Sequence, residues 1–179
     1  STKPNMKNYK ADTAEDATAI LGFFKEYRWL SNFWATTIED DGIVYPSSEH
    51  FYQALKTKNK SLRKQIAKLP IKNVKSYCRQ IKIRDNWDSG KNLRVRAMWK
   101  VTVLKYKNAE LRKKLLATAG QHLEEVNYWG DTFWGTVQKN NNRIGENTLG
   151  QILMAYRDYL LDVPNKKVSR QIQKLKGRK

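Results

Sequence analysis

Cysteine and histidine are scarce in this chain, and so is acid. A single cysteine, Cys78, excludes an intramolecular disulfide and fits a reducing compartment. With His50 and His122 it does not furnish a Cys/His zinc site unless carboxylates or water complete the set. No apolar run is long enough to cross a bilayer and no secretory-signal pattern is seen, so a cytoplasmic protein is expected. Glycine-rich phosphate loops of the Walker and dinucleotide types are missing. So are a nucleophile elbow, zinc-finger spacing, Arg-Gly repeats and any internal repeat. Against 35 Lys and Arg stand 17 Asp and Glu, a formal charge of +18. Residues 50–84 carry eleven basic residues and no acid, and 165–179 carry seven and none. Such a surface attracts phosphates, on nucleic acid or on small molecules, and says nothing about fold.

What is present suffices for one domain with a core: 179 residues, 40% of them hydrophobic. Aromatic residues crowd the stretch from Phe23 to Trp34. In ATTIEDDGIVY, Asp41-Gly42 between two β-prone runs predicts a hairpin. The basic segment, broken at Pro70, predicts two helices at roughly 48–68 and 72–80. Leu93, Ala97, Val101 and Leu104 recur at helical spacing, and Asn108 is placed to cap the next helix, which Gly120 ends. Residues 127–146 read as a loop rich in Trp, Asn and Gly. A last helix starts near Asn147, with Leu149, Ile152, Leu153, Tyr156 and Leu160 in one stripe, and stops at Pro164. The expected fold is mainly α: a compact single-domain helical fold with a small β-hairpin near the N-terminus. An arm at 1–20, a domain at 21–163 and a basic tail at 164–179 complete the expected layout.

The stretch YPSSEHFYQALK, residues 45–56, opens like a helix, with Ser47 or Ser48 as N-cap. At about 100° per residue Phe51 and Leu55 share one side, while Glu49, Gln53 and Lys56 align on the other beside Tyr52. Glu49 and Lys56 are two turns apart, too far for a direct i,i+4 ion pair. The row suits either a small-molecule groove or a solvated face. Trp87, in RDNWDSG, and Trp129, in NYWGD, sit in polar turn contexts, where an indole either walls a pocket or plugs a loop onto the core. By composition alone Asp131 is a turn residue.

Three separated pieces carry a resemblance. The first runs from Phe23-Phe24 through LSNF at 30–33 to YPSSEHFYQALK. The second is NWDS at 86–89 with the following helix that contains Arg96 and Met98. The third joins YWGD at 128–131 to GENTLGQILMAYR at 145–157. In this order they resemble the NADAR (YbiA-like) family from about Phe23 to about Leu160. The resemblance implies a mainly helical fold and hydrolysis of N-glycosidic bonds without metal or cofactor. It implies Glu49, Lys56 and Asp131 as catalytic residues. Asn32, Phe33, Gln53, Trp87, Arg96, Trp129 and Asn147 would be substrate-binding. Substrates in the family are ribosylaminouracil phosphates of the riboflavin pathway or ADP-ribosylated guanine in DNA. The loop TFWGTVQKNNNRI and the basic segments depart from the family pattern.

That chemistry explains the residue types. Cleaving a base–ribose bond develops oxocarbenium charge, and a nearby carboxylate either stabilises it or activates the attacking water. A desolvated lysine protonates the leaving nitrogen or attacks C1 of an opened ribose to form an imine. Gln53 and Asn32 suit ribose hydroxyls, and Trp87 or Trp129 suits stacking on the base. The +18 charge inclines the reading toward nucleic acid bearing ADP-ribosylated guanine, with the basic surface and tail as contacts. The alternative is a non-enzymatic basic nucleic-acid-binding protein on the same scaffold. Retention of Asn32, Glu49, Lys56, Trp87 and Asp131 together favours the enzyme.

Overall fold

The computed structural model describes residues 9–10, 18–90 and 92–162. Most of the expected arm, and the tail with Pro164, lie outside them. In chain order the elements are β1 (Tyr9–Lys10), β2 (Ile20–Leu21), a 3-10 turn (Lys25–Leu30), β3 (Ala35–Asp40), β4 (Ile43–Ser47), α1 (Ser48–Ala54), α2 (Lys60–Ala67), α3 (Ile71–Cys78), α4 (Leu93–Lys105), α5 (Ala109–Ala117), β5 (Leu123–Glu124), β6 (Val126–Asn127), β7 (Thr136–Lys139), β8 (Asn142–Gly145) and α6 (Thr148–Leu160). The described residues form two compact units, Trp29–Arg112 and the combination of those before Trp29 with those after Arg112.

The expectation of a mainly α fold with one hairpin is overturned. Among the described residues, eight strands in three sheets accompany six α-helices, and the architecture is mixed α/β. The missed strands are two to four residues long, too short for a period-2 pattern to show. Some of their pairing is also non-local: β2 pairs in parallel with β5, Ile20 against Leu123, and β1 antiparallel with β8, Tyr9 against Arg143.

In the Trp29–Arg112 unit, the hairpin β3–β4 turns at Asp41-Gly42, both at positive φ (51° and 72°), which is why Asp-Gly is favoured there. The expected helix at 48–68 is two helices. After α1, Asn59 turns extended (φ −72°, ψ 107°) and caps α2 by accepting from Leu62 N–H at 3.0 Å. Its own N–H donates to Thr57 Oγ1 at 3.1 Å, so local side-chain bonds compete with the helix and break it. The core of this unit includes Leu30, Ile38, Ile43, Tyr45, Phe51, Leu55, Ile66, Val74, Met98 and Val101.

In the other unit a four-stranded sheet runs β1-β8-β7-β6, and α6 packs on β5. Asn140, at φ 56°, makes the β7–β8 turn, within the segment expected to be a loop. Gly150 occupies the first turn of α6, where the helix lies so close to β5 that a Cβ would come within 2.3 Å of the Leu123 carbonyl oxygen. Of the predicted stripe, Leu149, Ile152, Leu153 and Tyr156 are buried and Leu160 is half-buried. No described helix is long and apolar enough to cross a membrane.

Candidate active site

Helix α1 is seven residues long and buried on every side, so its row of polar residues is no solvated face. Its start is clamped. Ser47 is the N-cap, extended at φ −158°, and its Oγ accepts from the His50 N–H at 3.2 Å. His50 Nε2 lies 2.7 Å from the Leu69 carbonyl oxygen, which only accepts, so Nε2 carries the proton. Nδ1 then accepts from Ser47 Oγ–H at 2.6 Å. The Glu49 N–H donates to the Asn32 carbonyl at 2.9 Å, fixing the first turn of α1 to the segment before β3.

Glu49 is 4% exposed and Gln53 3%. Gln53 Nε2 donates to Glu49 Oε1 at 2.8 Å, one helical turn away. That bond fixes the amide orientation, because a carboxylate offers only acceptors. Gln53 Oε1 is left buried with no hydrogen-bond partner, a state that costs about 1–3 kcal/mol. Glu49 Oε2 is bonded to no described residue.

Lys56 lies beyond the helix end, in the turn after the C-cap Leu55. Its backbone is held by Arg84 N–H, which donates to the Lys56 carbonyl at 2.8 Å, and its Nζ sits 5.6 Å from the Tyr52 ring centre. Tyr52 packs in turn on buried Trp87, with ring centres 5.5 Å apart. Burial lowers the Lys56 pKa; the Glu49 carboxylate and Cys78 partly offset this, and Lys75 lowers it further. No Glu49 oxygen lies within 4.0 Å of Lys56 Nζ, so the two feel each other without forming a direct ion pair. Cys78, on α3, is buried beneath them. Burial pushes its thiol up to about 11, which keeps it protonated and a poor nucleophile at neutral pH. Among the described residues no group of three His, Cys, Asp or Glu is placed to hold a metal.

The NADAR domain model matches residues 21–161. This chain belongs to the NADAR family. N-glycosidase YbiA of Escherichia coli (strain K12) is 35% identical over 152 residues, covering 79% of this chain and 88% of that protein. The Shigella flexneri serotype 5b (strain 8401) protein of the same name matches to the same extent. Riboflavin biosynthesis protein VVA0006 of Vibrio vulnificus (strain YJ016) is 33% identical over 142 residues, covering 76% of this chain and 36% of that longer protein. The NMR structure of the E. coli protein YbiA superposes with a TM-score of 0.68 at 31% identity, covering 90% of each chain.

Of the residues nominated by the NADAR resemblance, seven lie in the Trp29–Arg112 unit: Asn32, Phe33, Glu49, Gln53, Lys56, Trp87 and Arg96. Asn32 donates its amide to Met98 Sδ at 3.4 Å, a weak acceptor. Phe33 is exposed, with Lys75 Nζ 5.6 Å from its ring centre. Arg96 is half-buried on α4. Trp87 is the loop-to-core plug, its indole packed on Tyr52 behind the Lys56 ammonium.

The other three lie in the second unit. Asp131 Oδ1 accepts from the Phe133 and Trp134 N–H groups at 3.0 and 2.9 Å, and so shapes its own loop. Trp129 is exposed and meets Phe24 and Tyr128 edge-on. Asn147, at φ 51°, spends its amide on backbone: Oδ1 accepts from Glu125 N–H at 3.0 Å, and Nδ2 donates to the Leu123 carbonyl at 2.9 Å.

Two groups went unseen in the sequence. Lys75 and Cys78 reach Lys56 through packing of α3 on α1, and no linear motif joins them. The second is Glu124, fully buried and bonded to Arg143 at 2.7 Å, Thr136 Oγ1 at 2.8 Å and His122 at 2.9 Å. Burial raises its pKa, but the hydrogen bonds from His122, Thr136 and Arg143, with the Arg143 charge, outweigh that and leave it lowered. Partners 2, 12 and 19 residues away leave no spacing to read.

Proposed function

We propose that this NADAR protein hydrolyses the N-glycosidic bond between a ribose and a base-like leaving group, using Glu49 and Lys56. The N-glycosidase class is that of its relatives across 79% of the chain. The observation that carries the residue assignment is the state of Glu49. It is a buried carboxylate with one oxygen held by Gln53 and the other uncommitted, beside a desolvated lysine not directly paired with it.

In the proposed step, water attacks C1′ and gives a proton to Glu49 as the C1′–N bond breaks. The bond's electron pair stays on the leaving nitrogen, which takes a proton from Lys56. Exchange with solvent resets both groups. Glu49 also opposes the oxocarbenium charge that develops on the sugar. If Lys56 instead forms an imine with opened ribose, borohydride during turnover traps it as a stable adduct. Asn32, Phe33 and Arg96 serve as substrate contacts, with Trp87 backing the site through Tyr52. Asp131 and Trp129 act from their loop, and Asn147 by setting the start of α6.

For the substrate we favour ADP-ribosylated guanine in nucleic acid, because a charge of +18 exceeds what a small phosphorylated ribosylamine requires. The second reading, a ribosylaminouracil phosphate, rests on the relative named for riboflavin biosynthesis. Mass spectrometry of parallel reactions on the two substrates decides, with Glu49→Gln as control. Release of ADP-ribose from the oligonucleotide alone establishes the first reading. Cleavage of the small molecule alone establishes the second. Cleavage of neither, with tight salt-sensitive DNA binding, replaces both with a binding protein.

A further inference from the structure

Gln53 joins both halves of the proposed site. Its Nε2 donates to Glu49 Oε1 at 2.8 Å, and its backbone carbonyl accepts the N–H of Lys56 at 3.1 Å. The side chain is buried, and its Oε1 has no hydrogen-bond partner among the described residues. Glu49 Oε2, equally removed from water, is bonded to no described residue either. Neither oxygen can satisfy the other, because an amide oxygen and a carboxylate oxygen only accept. Both belong to planar groups already tied together by the Nε2–Oε1 bond, which limits how far apart they can lie. The pair is therefore a built couple of buried acceptors, suited to a small group that brings two hydrogens.

We propose that Gln53 Oε1 and Glu49 Oε2 together seat the attacking water, which makes Gln53 a positioning residue for hydrolysis. The inference rests on the N-glycosidase reading and deepens it. Water has two O–H donors, one for each oxygen, whereas a single hydroxyl would leave one acceptor buried and unpaired. Buried waters typically make about three hydrogen bonds. Here both hydrogens are engaged by the two acceptors, and the lone pairs of the water oxygen are left for C1′. As the C1′–O bond forms, the hydrogen on the Glu49 side passes to Oε2 as a proton. The C1′–N electron pair leaves with the nitrogen. The hydrogen held by Gln53 stays on the oxygen and becomes that of the product's C1′ hydroxyl. Gln53 sets the direction of attack and keeps its own protonation throughout.

The test compares the unsubstituted protein with Gln53→Met, similar in size but without the amide. The substrates are the ribosylaminouracil phosphate and the oligonucleotide bearing ADP-ribosylated guanine. Gln53→Met should lower kcat about 10- to 100-fold, as a misplaced reactant does, and leave KM within about two-fold. A raised KM at unchanged kcat would make Gln53 a sugar contact and overturn the proposal. Methanol has a single O–H, so reactions in a methanol–water mixture read the seat directly. Relative to the hydrolysis product, the methyl glycoside should rise about five-fold or more in Gln53→Met. Loss of the Nε2 bond to Glu49 alone would slow both products equally, so an unchanged ratio overturns the seat. A crystal structure of the unsubstituted protein requires neither turnover nor a stable variant. An ordered water within about 3.2 Å of both Gln53 Oε1 and Glu49 Oε2 supports the proposal. No water there, or one that touches a single oxygen, overturns it. Absence of cleavage with that water in place sinks the N-glycosidase reading alone.

Discussion

Glu49 and Glu124 are both carboxylates taken almost wholly out of water, one in each compact unit, yet their surroundings differ in kind. Glu124 is saturated: an arginine, a threonine and a histidine donate to its two oxygens. Glu49 has one neutral amide on one oxygen and a lysine held off at a distance. A buried charge that is fully paired recovers its desolvation and fixes a fold. One left under-satisfied gains by meeting charge that arrives later, as a cationic sugar transition state does. The number and kind of donors, more than burial, separate a structural acid from a reactive one.

The largest effect is expected at Glu49. Glu49→Gln should lower kcat about 10²–10⁴-fold while the melting temperature stays close to that of the unsubstituted protein. Full activity in a folded Glu49→Gln would dissolve the contrast with Glu124. Glu124→Gln should do the reverse, costing about 3–5 kcal/mol of stability because Arg143 loses its buried partner. Its pH dependence has a definite sign. A carboxyl lowered in the folded state contributes stability above its unfolded value of about 4.5, and the contribution disappears as pH falls through the folded value. Denaturant titrations should show the Glu124→Gln deficit constant near neutrality and shrinking only in acid; a deficit that grows in acid would reverse the assignment.

A smaller loss is expected from Asp131→Ala. The carboxylate accepts two loop N–H groups, so about 1–2 kcal/mol of stability should go with it. Catalysis by direct proton transfer at Asp131 would instead appear as a kcat deficit that Asp131→Asn does not repair, since an asparagine Oδ1 still accepts both bonds. Least of all should come from the exposed pair Lys60–Asp41, 3.5 Å apart. Lys60→Met should move the melting temperature by no more than about a degree, because ion pairs in water contribute little.

The legible parts of this molecule are those where neighbours in sequence are neighbours in space. Asp41-Gly42 announced its turn, Asn108 its cap through the bond from Leu111 N–H, and Leu149, Ile152, Leu153 and Tyr156 their buried stripe. Strands of two residues paired across a hundred positions, as Ile20 is with Leu123, left no local trace. The site divides on the same line. Glu49 and Gln53 are one turn apart and could be read as a pair. Lys56 was placed on the same helix, but that helix ends at Ala54, and a turn supplies the lysine instead. Lys75, Cys78 and the Glu124 cluster depend on packing between elements, which no spacing rule encodes.

A seven-residue helix is about half the length at which an isolated helix holds together in water, so α1 owes its order to its clamps. Ser47, His50 and the Leu69 carbonyl hold one end, and the Asn32 carbonyl holds the Glu49 amide. Amide hydrogen exchange should therefore treat α1, the end of α2 and the Asn32 turn as one opening unit. How long the Glu49 carboxylate stays assembled then depends on His50 and its bond to Leu69, and so on a residue with no part in the proposed chemistry.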